Sequence, residues 1–128
     1  MESRIVEYQD SDYDVAVTVI QAKMPQQFTY EATQLQMMDK YKIVPEEESE
    51  DVLAAMTERW HMVHSYPALR SAISKVENRN GAEELPALTP ETFLDWPMAL
   101  FMELLDAVYE LNPHWSPFFA RARATGSG

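Results

Sequence analysis

The stretch that most constrains this chain runs from Trp96 to Trp115, WPMALFMELLDAVYELNPHW. Its middle, from about Pro97 to Leu111, reads as one helix that is apolar on nearly its whole circumference. Met98, Phe101, Met102, Leu105, Val108 and Tyr109 follow one line of three- and four-residue steps, while Leu100, Leu104, Ala107 and Leu111 follow another. Only Glu103, Asp106 and Glu110 interrupt it, and their i, i+3, i+7 spacing makes one narrow acidic stripe. The rest of such a surface has to be covered by other parts of the fold or by a partner, so the segment is a core helix or a docking helix.

Its ends are punctuated. Thr89-Pro90-Glu91 reads as an N-cap, a first-turn proline and an early acid, with Leu88 and Phe93 placed as a hydrophobic staple. A short helical turn then reaches Asp95-Trp96 and is stopped by Pro97, so two helical pieces meet at Trp96. Downstream, Asn112 suits a left-handed C′ position and Pro113 forbids continuation, which puts the stop near Leu111.

Ahead of this stretch, Arg4–Tyr8 and Tyr13–Ile20 read as two strands around the turn Gln9-Asp10-Ser11-Asp12, a small hairpin within residues 1–22. Asp10, Asp12 and Asp14 lack the glycine bend and distal glutamate of a calcium loop, so a solvated turn is expected there. A helix is predicted over Gln26–Tyr41, with Phe28, Ala32, Leu35 and Met38 on one side. The acidic run IVPEEESED, from Ile43 to Asp51, reads as the start of the next helix, where acids favour the helix dipole. Val52, Met56, Trp60 and Val63, beside Ala55 and Arg59, continue that helix to about Ser65. Pro67 then kinks it or opens another, whose apolar stripe is Leu69, Ala72, Ile73 and Val76. Residues 26–79 are thus read as helices, 80–88 as the linker at the end of NRNGAEELPAL, and 89–115 as the core or docking helix.

The expected fold is mainly α, of α+β type: a single domain over residues 1–118 with four or five helices and a small N-terminal β-hairpin, followed by a flexible tail at 119–128. A chain of 128 residues with 46 % apolar composition can bury a core without staples. It has no cysteine, which rules out disulfides, thiolate metal sites and a cysteine nucleophile, and fits a reducing compartment. No apolar run approaches the ~20 residues of a membrane span. Met-Glu-Ser-Arg at the start lacks the regions of a signal peptide, so a cytosolic protein is expected. A formal charge of -11 repels phosphate backbones and argues against nucleic acid as a partner. Eight methionines suit either core filling or an adaptable binding surface.

The strongest catalytic candidate is Glu58-x-x-His61-x-x-His64, which brings a carboxylate and two imidazoles toward one helix face. A di-metal helix pair needs a second Glu-x-x-His, and His114 has no glutamate three residues before it. The mononuclear hydrolase order His-Glu-x-x-His is also absent, and three-residue steps drift around a helix, so polar surface roles are expected for the three. Ser65, Ser71 and Ser74 lack a nucleophile-elbow context, and no Gly-rich phosphate loop exists. The expectation is a protein that is not an enzyme and uses no cofactor.

The segment from Leu88 to Trp115, especially TPETFLDWPMAL followed by LLDAVYELNPHW, resembles the C-terminal part of tail assembly chaperones of long-tailed bacteriophages and related prophages. The matching positions are Phe93, Leu94 and Pro97, then Ala107, Val108, Tyr109, Leu111, Asn112, Pro113, His114 and Trp115. The resemblance covers about a quarter of the chain, and its motif is structural rather than chemical. It implies a helper in the host cell cytoplasm that binds the long, aggregation-prone tape measure protein, keeping it dispersed while tail tube protein polymerises around it; self-association is also open. The candidate contacts are Trp96, Met98, Phe101, Met102, Leu105, Tyr109 and Trp115, with a second patch at Met37, Met38, Trp60 and Met62. Two rivals stand beside this expectation: an acidic host-takeover or DNA-mimic inhibitor, and a structural virion adaptor.

Overall fold

A computed structural model describes residues 2–41, 50–79 and 83–116, with the backbone alone for 50–55. The expectations placed on 42–49, on Gly81 and on 117–128, and those on the side chains of Val52 and Ala55, lie outside the described residues. Strands β1 (Ser3–Gln9) and β2 (Asp14–Ile20) pair antiparallel from Ser3↔Ile20 to Gln9↔Asp14. Their turn is clasped by one side chain: Asp10 Oδ1 accepts the Asp12 and Tyr13 N–H groups at 2.7 and 2.8 Å, and the Tyr8 hydroxyl donates to Oδ2 at 2.5 Å. Those bonds, led by the one from Tyr8, hold the Asp10 carboxyl below its ordinary value.

The expected count of four or five helices with a lone hairpin is overturned. Among the described residues there are three α-helices and a three-stranded antiparallel sheet in the order β1-β2-β3. The third strand, β3 (Ile73–Asn78), pairs with β2 and comes from the run read as a helical stripe. That stripe rested on Ile73 and Val76 sharing a face three residues apart. In the sheet they share one because the register shifts beside Val19: Ile73 opposes Val19, Lys75 opposes Thr18 and Val76 opposes Val17, leaving Ser74 as the extra residue of a bulge. One inserted residue turns the strand period of two into a spacing of three.

Helix α1 (Met24–Lys40) is followed by α2 (Glu50–Ala72), which runs unbroken through Pro67 where a kink or a new start was expected. Proline lacks the N–H that would bind the carbonyl four residues back. Here that carbonyl belongs to Val63, and the Gln34 side chain of α1 donates to it at 3.3 Å. The compensation is tertiary, so it has no local sequence mark.

After β3 the chain passes without regular structure to a turn where Thr89 and Thr92 bond each other's backbone N–H groups at 3.1 and 3.2 Å. The expected first helical piece is only a three-residue 3-10 turn, Phe93–Asp95. Pro97 sits just outside α3 (Met98–Leu111) as its N-cap, and α3 ends at Leu111 as the punctuation required. Asn112 does not take the expected left-handed conformation; its φ is -133°. It is instead fully buried and bonds three ways, accepting from the Ala22 N–H at 2.7 Å and donating to the Ile20 and Val108 carbonyls at 3.1 Å each.

Helices α2 and α3 cover one face of the sheet. Val6, Val15, Val17 and Val19 meet Met62, Tyr66 and Leu69 of α2 and Leu100, Leu104, Ala107 and Val108 of α3 in a single core. Each fully buried aliphatic of this kind contributes about 1.5–3 kcal/mol relative to exposure. The other sheet face, with Glu7, Thr18, Lys75 and Glu77, is mostly polar. Helix α1 lies on α2, outside this sandwich. Among the described residues no helix is long and apolar enough to cross a membrane.

Candidate functional site

The side of α1 that carries its apolar stripe faces solvent. The helix buries Tyr30, Thr33 and Met37, whereas Phe28, Leu35 and Met38 are 58, 67 and 53 % exposed, with Met24 continuing the line. At 100° per residue the two faces are roughly 150° apart. The inward face is anchored by shape and hydrogen bonding: Tyr30 stacks on Trp115 with ring centroids 4.6 Å apart, and Gln27 Oε1 accepts from the Trp115 indole N–H at 2.7 Å. The periodicity located a stripe and could not say which side a neighbour would cover.

At the end of α1 that stripe opens into a groove of 610 Å³ lined by Met38, Tyr41, Met56, Arg59, Trp60, Val63 and His64. A second, smaller hollow of 160 Å³ lies on the other side of α2 and is lined by His61, Phe93, Leu94, Trp96, Met98, Phe101 and Met102. Between them stands a row of rings. Trp60 lies 5.1 Å from His61 and 4.9 Å from His64, and His61 meets Phe101 edge-on at 5.4 Å. Burial lowers the affinity of both imidazoles for a proton, and for His64 the neighbouring His61 adds to the effect. The shift favours the uncharged form of both rings on the ridge between the hollows.

The structure distributes the expected contact residues unevenly. Met98 and Met102 project from the second hollow, Met98 being 71 % exposed, and Met38 and Trp60 are exposed at the first. Phe101, Leu105 and Tyr109 are half-buried against the core. Trp96, Trp115, Met37 and Met62 lie in the core. Trp96 donates its indole N–H to the Pro86 carbonyl at 2.9 Å, pinning the loop before α3. Burial, reinforced by nearby Tyr30, pushes the Tyr109 hydroxyl up to about 12. Phe28, Leu35, Met56 and Leu94 were not named as contacts; their exposure follows from which elements pack, which periodicity does not encode.

Glu58, His61 and His64 do not converge into a ligand set. Glu58 is exposed, His61 Nδ1 bonds the Ser65 hydroxyl at 3.0 Å, and among the described residues no group of three or more His, Asp or Glu is placed to hold a metal ion. What the geometry offers here is a methionine- and aromatic-lined surface.

No family model, no curated protein and no solved structure matches the chain.

Proposed function

We propose that this chain is a protein-binding assembly chaperone of the phage-tail kind, which lays the apolar stripe of a tape measure helix across α1 and the grooves flanking α2. The single observation that supports the reading most is the outward stripe Met24, Phe28, Leu35 and Met38, continuous with Met56 and Trp60. A helix normally buries its apolar side. This one presents it, at helical spacing, beside a groove wide enough to take partner side chains. Methionine is suited to such a surface because its unbranched, polarisable side chain adapts to differing shapes. The net charge of -11 keeps a complex dispersed while the apolar stripe of the partner is covered.

The test is co-expression with the tape measure protein of the same tail gene cluster. The partner is expected to be soluble and to co-purify only when this chain is present. Combining Leu35→Glu with Met38→Glu is expected to remove that effect while unfolding stays within about 0.5 kcal/mol per exposed site. A partner that stays insoluble, or is retained equally by the double variant, overturns the reading.

A further inference from the structure

β1 is an outer strand of the sheet, and among the described residues nothing pairs with its free edge. Such an edge offers a row of unpaired backbone N–H and C=O groups, which proteins commonly guard with a bulge, a proline or a charge. The opposite edge strand, β3, carries a bulge. β1 runs seven residues with neither bulge nor proline, and its charges are engaged: Arg4 with Glu110 of α3, Glu7 with Arg79.

Helix α3 runs antiparallel to β1. Glu110 meets Arg4, and Glu103, seven residues earlier, lies near Tyr8. Glu103 and Asp106 join Arg4, Ile5 and Val6 around an open hollow of 310 Å³ beside the strand. Neither of these two carboxylates forms an ion pair among the described residues. On the other face of the strand, Ile5 is 61 % exposed.

We propose that this edge accepts an extended, basic segment of a partner protein as a fourth strand. Backbone bonds to β1 hold it, and its alternate Lys or Arg residues reach Glu103 and Asp106 while the residues between them lie beside Ile5. Alternate residues of a strand are about 6.6 Å apart on one face, and the two carboxylates are about 4.5 Å apart along the helix, a mismatch that long basic side chains absorb. The charge decides against a second copy of this chain, which would bring the same acidic stripe against itself. The surface uses neither hollow of α2, so this inference stands apart from the chaperone reading.

The experiment is an NMR titration of the full, ¹⁵N-labelled chain with the peptide acetyl-Thr-Arg-Val-Arg-Thr-Arg-Thr-amide. The largest amide shifts and slowed exchange are expected at Ser3–Gln9. Of two peptides methylated on either set of alternate backbone nitrogens, one is expected to lose binding and the other to keep it, since only one edge of the added strand faces β1. Glu103→Gln with Asp106→Asn is expected to weaken binding about tenfold, as for the loss of close charge pairs. Equal binding of both methylated peptides, shifts confined to α3, or no binding overturns the proposal.

Discussion

At the scale of single residues, the most consequential pair is Gln34 and Pro67. The proline removes a donor from inside a 23-residue helix, five residues before its end, and Gln34 returns one from a different helix to the Val63 carbonyl. A buried acceptor left without a donor costs about 1–3 kcal/mol. Gln34→Ala is therefore expected to destabilise the chain by about 1–2 kcal/mol in urea unfolding. In a Pro67→Ala background, where the alanine N–H serves Val63, the same change is expected to cost little; equal losses in both backgrounds would show that Gln34 acts otherwise. The pair also marks a limit on reading the sequence. Pro67 signals a break, and the residue that cancels the signal lies 33 positions away.

At the scale of elements, the bulge in β3 makes a sharp prediction. Removing Ser74 leaves Ile73, Lys75 and Val76 opposite Val19, Thr18 and Val17 in unbroken alternation, so the deletion is expected to keep the native spectrum with only a small fall in Tm. Were the segment helical, the same deletion would turn Val76 by about 100° out of its face, and the loss of cooperative unfolding would reveal it. The hairpin, the span of α1 and the stop of α3 were legible because turn residues, alternation and proline act locally. β3 was hidden because a bulge imitates helical spacing. The outward stripe of α1 was hidden for another reason: two faces of a helix differ in composition, but only its neighbours decide which one is covered. Trp96 and Trp115 show the converse, since their indole N–H groups find Pro86 and Gln27 inside the fold, and no sequence pattern distinguishes such a tryptophan from an exposed one.

At the scale of the whole molecule, the acid limb of stability is expected to begin with histidine. His61 and His64 bind protons less readily in the folded chain than at the ordinary imidazole value of 6.5. Between that value and the lowered folded values, the unfolded chain holds more protons, so stability falls as pH drops through this window. The Asp10 carboxyl, held below its ordinary 3.8, adds a loss only at lower pH. Urea midpoints are expected to decline from about pH 7 to about pH 5, and His61→Gln with His64→Gln should flatten that decline; an unchanged slope would assign it to other groups. The chain's many acids were visible from composition, whereas the two rings that govern the first loss became visible only beside Trp60 and Phe101. Asn112, finally, carries a consequence in time. It joins the end of β2 to the end of α3 across 92 residues of chain. At roughly 5–20 residues per second, the ribosome delivers Asn112 some 5–20 s after Ile20. Until then Val15, Val17 and Val19 have no α3 to cover them, so the core cannot close before α3 has been synthesised, and a nascent chain stalled before α3 would show a sheet open to chaperones and proteases.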